Sequence, residues 1–145
     1  MDLAEWLSQP FGGSNLDWAA IPLRIVLGVI FLDAGVGKFR RGIAGFGAWL
    51  ESLGYPMGRR LGPVVATTEI VGGLLLLAGL LTSWVAIPLA LNMVVATYTN
   101  KFKEKLPFQG GSDQQGYELD VLMVGACVAL IFLGAGPASI DSLFD

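Results

Sequence analysis

Glu69, Lys38, Asn92 and Glu118 are the side chains best placed to hold a polar ligand head or to handle a proton. Each is ionisable or an amide, and each lies in or at the end of a long apolar stretch. Charged groups in such stretches are costly and usually face a partner or a water-filled cavity. Glu69 is the deepest of them, and a carboxylate at that depth needs a counter-charge or a donor. Lys38 and Glu118 stand at stretch ends on one side of the membrane. A Lys38–Glu69–Glu118 cluster is therefore geometrically open, either as a structural ion pair or as a proton-handling group beside a ligand. Asn92, at mid-depth, needs a hydrogen-bond partner from a neighbouring helix or from a ligand. Towards the other side, Arg24 needs an acceptor. Asp141, just beyond the fourth stretch, is the acid expected to form an ion pair with it and tie the C-terminal segment across the first helix. Asp2, Glu5, Asp17 and Asp145 are further acids on that side. Asp120 reads as a solvated residue near the surface. Asp33 falls on the opposite side of the first helix from Arg24 and Lys38, open to a neighbouring helix, a second protomer or the interface.

The chemistry that is missing narrows the field. There is no His, which excludes a haem on paired histidines, a His-ligated copper and a serine–histidine relay. The single Cys, Cys127, cannot form an intrachain disulfide, so thiol–disulfide exchange within the chain is excluded as well. No Gly-rich phosphate loop and no metal-ligand spacing occurs. The polypeptide thus supplies no redox centre, and we expect no haem and no metal. Electrons passing through it would ride on a bound cofactor such as a quinone.

These residues are positioned by four apolar stretches, 19–38, 61–81, 83–99 and 117–135, each about as long as a membrane span requires. With 54% hydrophobic residues and a mean hydropathy of +0.64, the chain reads as a single all-α membrane domain, residues 1–145, built as a four-helix bundle. Of the nine Lys and Arg residues, Arg24 lies inside the first stretch. Lys38, Arg40, Arg41, Arg59, Arg60, Lys101, Lys103 and Lys105 all fall on the side of the two longer loops. That asymmetry predicts a multi-pass protein of the cell membrane with cytoplasmic loops and both termini outside. The loop bases favour anionic headgroups rather than nucleic acid. In the first loop, Ile43, Phe46, Leu50 and Leu53 share one helical face, which predicts a short interfacial helix over 42–53 on the cytoplasmic surface. At the start of the chain, Leu3, Trp6, Leu7 and Phe11 suggest a segment lying on the outer surface, and the first stretch is expected to serve as its own insertion signal.

Small residues line the expected helix contacts. Arg24, Gly28, Phe31, Gly35 and Lys38 recur at alternating steps of four and three residues on the first stretch. Glu69, Gly72, Gly73, Leu76 and Gly79 form a looser stripe on the second. Gly28, Gly35, Gly72 and Gly73 are the expected packing positions, where the missing side chain lets helix backbones approach in lipid.

The same residues resemble the pattern of the DoxX family of small membrane proteins. The resemblance is carried by the Arg24–Lys38 stripe, by Gly54 and Pro56, and by the Glu69–Gly79 stripe. Gly116 with Glu118, and Gly134, Gly136, Ser139, Ile140 and Asp141, complete it. It implies a four-helix membrane bundle. It also points towards quinol oxidation and thiosulfate:quinone oxidoreduction, for whose subunits the family is named, and towards redox-stress enzymes with which other members associate. The expectation is a membrane subunit that binds a quinone or other lipidic molecule between its helices and supports a membrane redox system. Glu69, Lys38 and Asn92 would meet the polar head. At most it would be a quinone-linked oxidoreductase subunit, with membrane lipids, a redox partner protein and a second copy of itself as partners. The rival expectations are a small-solute or proton-coupled carrier and a non-catalytic adaptor for a redox-stress enzyme complex.

Overall fold

The computed structural model describes residues 16–144. The expected surface segment around Trp6, and the acids Asp2, Glu5 and Asp145, lie outside those residues. The described chain is all-helical: α1 (Leu16–Ser52), α2 (Gly58–Ala78), α3 (Thr82–Tyr98) running into a π-helical turn (Thr99–Lys103), α4 (Glu118–Leu133) and a closing 3-10 turn (Asp141–Leu143). α1, α2 and α3 with its π turn are each long and apolar enough to cross a membrane. α4, 16 residues long, completes a four-helix membrane bundle.

α1 is longer than its apolar stretch because the short helix of the first loop continues from it. The two segments meet at Gly42, whose backbone (φ 104°, ψ 102°) leaves helical geometry. Only glycine adopts that conformation freely, and it redirects the following turns. Helix ends elsewhere follow local rules. Gly54, at φ 89°, stops the short helix ahead of Pro56. Gly79, at φ 68°, closes α2 with Gly79 N–H on the Leu76 carbonyl and Leu80 N–H on the Leu75 carbonyl, the pairing that satisfies carbonyls left over at a helix end.

α1 packs chiefly on α2, and α4 on α3. The α1–α2 contact is backbone against backbone. A Cβ on Gly28 would stand 2.9 Å from the Gly73 carbonyl, one on Gly35 would stand 2.7 Å from that of Ala66, and one on Gly73 would stand 2.7 Å from that of Gly28. Gly72 faces the Leu89 side chain on α3. Phe31, Leu76, Leu89, Cys127 and Leu130 fill the core between the helices. Val29, Leu91, Leu122 and Phe132 point outwards, as side chains bathed in lipid should.

Candidate functional site

Three helices converge on one carboxylate. Glu69 is 2% exposed. Lys38 of α1 donates from Nζ to its Oε2 at 2.6 Å, and Asn92 of α3 donates from Nδ2 to its Oε1 at 3.0 Å. Both carboxylate oxygens are therefore engaged, which offsets much of the cost of burying the charge. The glycine stripes create this junction. With no side chain at Gly28, Gly35 and Gly73, the α1 and α2 backbones close up at those positions, and Lys38 can reach across. Lys38 keeps 17% of its side chain exposed, and its ammonium lies 5.4 Å from the centre of the Phe46 ring.

The junction lines a cavity of about 300 Å³ towards the loop side of the bundle. Its walls are apolar, with Ile30, Phe31, Ala34, Met93 and Met123 around the ion pair. The short helix after Gly42 contributes Phe46, Trp49 and Leu50, the first two stacked at 5.7 Å between ring centres. A second polar pair also lines it: Asn100 Nδ2 donates to Asp120 Oδ2 at 2.6 Å. The aromatic segment is held at its far end. Tyr55 Oη and Thr99 Oγ1 share a hydrogen bond of 2.6 Å, and Lys103 Nζ donates to the Leu53 carbonyl at 2.6 Å while lying over the Tyr55 ring. An apolar chamber with a few convergent polar groups is the usual form of a small-molecule site.

Lys38, Glu69 and Asn92 are thus brought together, and Glu118 is not. Its carboxylate accepts the Gly110 N–H at 3.2 Å and so fastens the second loop to the start of α4. Asp120 takes the inward position, half-buried rather than solvated. Residues two apart on a helix point about 200° apart, so only one of these acids can face the bundle. Sequence reasoning also passed over Asn100, although it follows Asn92 by eight positions and so lies about 80° from it around the helix. Phe46 and Leu50 were legible as one apolar face, but the cavity they help enclose was not.

On the opposite side, Arg24 and Asp141 lie close in the fold without forming the expected ion pair. Arg24 is 3% exposed and donates to the carbonyls of Ala135 (2.5 Å) and Ala138 (2.6 Å). Asp141 instead accepts from the backbone N–H groups of Leu81 (2.8 Å) and Thr82 (3.2 Å) at the start of α3. The physical reason lies in the backbone. α4 ends at Leu133, and the carbonyls of the chain that follows need donors in a low-dielectric setting. The unpaired N–H groups at a helix start attract a carboxylate. Side chains that the sequence suggests as mutual partners are each drawn to main-chain groups. The segment is tied down all the same: Ile140 N–H and Asp141 N–H bond the carbonyls of Ala78 and Gly79. Gly79 is needed here, since a Cβ would collide with the Arg24 guanidinium and with Ser139. Asp33 is exposed on the outer face of α1 and makes no ion pair among the described residues.

The DoxX family model matches residues 19–101, the part of the chain that carries Arg24, Lys38, Glu69 and Asn92. The chain is 32% identical over 119 residues to "Putative oxidoreductase CatD" of Bacillus subtilis (strain 168), spanning 82% of this chain and 81% of that protein. It is 30% identical over 129 residues to "Uncharacterized membrane protein Rv3486" of Mycobacterium tuberculosis, spanning 85% and 79%. It is 31% identical over 129 residues to "Inner membrane protein YqjF" of Escherichia coli (strain K12), spanning 89% and 94%. No solved structure matches the chain.

Proposed function

The chain belongs to the DoxX family, and from that premise and the cavity beside Glu69 we propose a membrane subunit that binds a quinone or similar lipidic molecule and serves a membrane redox system. The observation that carries the reading is the junction of Lys38, Glu69 and Asn92, with the Asn100–Asp120 pair beside it, in the wall of a largely apolar chamber. The chamber's donor and acceptor set suits such a head group. The ammonium of Lys38 and the amides of Asn92 and Asn100 offer donors to ring oxygens, and Glu69 and Asp120 offer acceptors. At about 300 Å³ it sits at the small end of ligand pockets, a size suited to a ring head whose tail lies outside among the helices and lipid.

A quinone, when bound, supplies the electron-carrying chemistry that the side chains lack. The protein's own part is binding and proton handling. Lys38 and Asn92 hold the Glu69 carboxylate in place, where it can take or give a proton at Oε1 or Oε2 next to the ligand. Asp120 offers a second carboxylate in the same chamber. The aromatic pair Phe46–Trp49 shields the head from bulk water. One of the relatives, CatD, bears a name that describes an oxidoreductase, in keeping with a redox role. In the orientation we propose from the positive loops, this chamber lies towards the cytoplasmic side. Arg24 and the C-terminal segment cover the other end of the bundle, which favours a binding chamber over a through-passage for solutes.

Mass spectrometry of protein purified gently in mild detergent tests the reading. A prenylated or phenolic ring compound should copurify with the wild type and be depleted in Glu69→Gln, which keeps size and hydrogen bonding while removing the ionisable proton. Retention of the same compound at full level by Glu69→Gln, or the absence of any such compound together with failure to bind added quinone, would refute it.

A further inference from the structure

One pairing occurs twice in the chamber beside Glu69. Asn92 Nδ2 donates to Glu69 Oε1 at 3.0 Å, and Asn100 Nδ2 donates to Asp120 Oδ2 at 2.6 Å. Both asparagines come from α3 and its π turn, and both pairs line the same cavity. Their backbones stand eight residues apart, about 12 Å along the helix axis at 1.5 Å per residue. The first pair is the deeper, with Glu69 2% exposed. The second lies at the loop end, with Asp120 half-buried.

The wall between the two pairs is apolar and recessed. Ala96 stands four residues from each asparagine and lines the cavity with a single methyl group. Phe31, Met93 and Met123 line it as well. Backbone geometry keeps the second pair in line with the first. From Thr99 to Lys103 the helix is π-helical, and the Glu104 N–H reaches back five residues to the Thr99 carbonyl. Such a wide turn rotates the chain less per residue, which holds Asn100 near the face that carries Asn92 and Ala96. Turns of this kind gather at functional sites.

Each pair presents the same chemistry, a carboxylate that only accepts beside an amide that donates. Neither hydrogen bond exhausts it, since a carboxylate has about four lone-pair sites and an amide nitrogen has two N–H groups. A ring hydroxyl answers both partners, donating to the carboxylate and accepting from the amide. Asp120 makes no ion pair among the described residues, so a ring carbonyl there would meet carboxylate lone pairs with only the amide to offset them. Given the cavity's proposed role as a quinone-type site, on which this step rests, we propose that the chamber selects the reduced form of its ligand. That form is a ring with hydroxyls at opposite ends, one on Asn92–Glu69 and the other on Asn100–Asp120. Asn100 and Asp120 are then the residues that set specificity, and Ala96 makes room for the ring.

Fluorescence titrations through Trp49, which lines the cavity, test the selection with three decyl-substituted rings. These are the para-hydroquinone under anaerobic conditions, the para-benzoquinone, and the phenol that lacks the second hydroxyl. The wild type should bind the hydroquinone about tenfold more tightly than either of the others, the worth of about one hydrogen bond to a charged group. Asp120→Ala and, as a second variant, Asn100→Ala should each bring hydroquinone affinity to within about twofold of the phenol's, with phenol affinity within about twofold of the wild type's. Glu69→Gln should weaken both ligands. The wild-type comparison decides the matter by itself should either variant fail to fold. Equal affinity for the hydroquinone and either other ring, or tighter binding of the benzoquinone, would overturn the selection while leaving a ring site at Glu69 in place. Asp120→Ala and Asn100→Ala weakening phenol and hydroquinone alike would overturn it too, showing the second pair to be structural. No saturable binding of any ring would overturn both the selection and the quinone-type site.

Discussion

Lys38→Met, which keeps the length of the side chain and removes its charge, should be among the most damaging conservative changes in the bundle. The Lys38 ammonium is 2.6 Å from a carboxylate that is 2% exposed, so its loss strands most of a buried negative charge. Breaking such a pair from one side costs about 3–5 kcal/mol. Two features of the structure bring the figure to the lower end: Asn92 still donates to Oε1, and Lys38 itself is partly exposed, so the intact pair is already partly screened. We expect about 3 kcal/mol for Lys38→Met. Glu69→Gln should cost less, about 1–2 kcal/mol, because the amide retains hydrogen bonds and the freed ammonium can turn to water. The double variant removes the stranded charge, so its cost should fall below the sum of the two by about 1–2 kcal/mol. Equilibrium unfolding in mixed detergent–SDS micelles, followed by far-UV circular dichroism, gives all four corners of the cycle. A Lys38→Met loss under about 0.5 kcal/mol, or strict additivity, would show that the two groups do not depend on one another.

Four further outcomes follow from the structure and the charge pattern. Gly73→Val places a Cβ within 2.8 Å of the Leu32 N and should cost about 3 kcal/mol or prevent folding, read as loss of monodisperse protein in detergent. Gly45→Ala, where a Cβ meets nothing within 4 Å, should be nearly neutral. Arg24→Lys cannot reach both the Ala135 and Ala138 carbonyls as a planar fork does and should cost about 1–3 kcal/mol in the same unfolding assay; an unchanged midpoint would show that the clamp is idle. Cysteines introduced by Gln109→Cys and by Ser142→Cys, in the Cys127→Ala background, should label oppositely with an impermeant maleimide in intact cells: the first protected until lysis, the second reactive. The reverse pattern would invert the proposed orientation.

The bundle was legible because apolar length and helical period are properties of single segments. The four-and-three spacing of Gly28, Gly35 and Lys38 pointed to the face of α1 that α2 covers, and Glu69 lies on the matching stripe. What stayed hidden depends on relations between segments. Glu118 and Asp120 look alike as acids at the start of α4, and only the rotation of that helix decides which one turns inward. Arg24 and Asp141 look like natural partners to a reader of side chains, yet the carbonyls of Ala135 and Ala138 and the amides of Leu81 and Thr82 are main-chain groups that no sequence displays. The junction at Gly42 is another such case: helix runs up to it and resumes beyond it, and the kink carries Phe46 and Trp49 over the cavity rather than away along the surface.

The most direct test of the ligand-binding account is a fluorescence titration of the purified protein with a short-chain quinone. Trp49 lines the cavity, so binding should quench part of the emission, and Trp49→Phe should abolish that component while quenching of the remaining tryptophans stays as before. Glu69→Gln should weaken the saturable component about tenfold, equivalent to roughly 1.4 kcal/mol and within the range of one hydrogen bond to a charged group. Quenching that does not saturate, or that is the same in the wild type, Trp49→Phe and Glu69→Gln, would contradict the assignment of this cavity as the site.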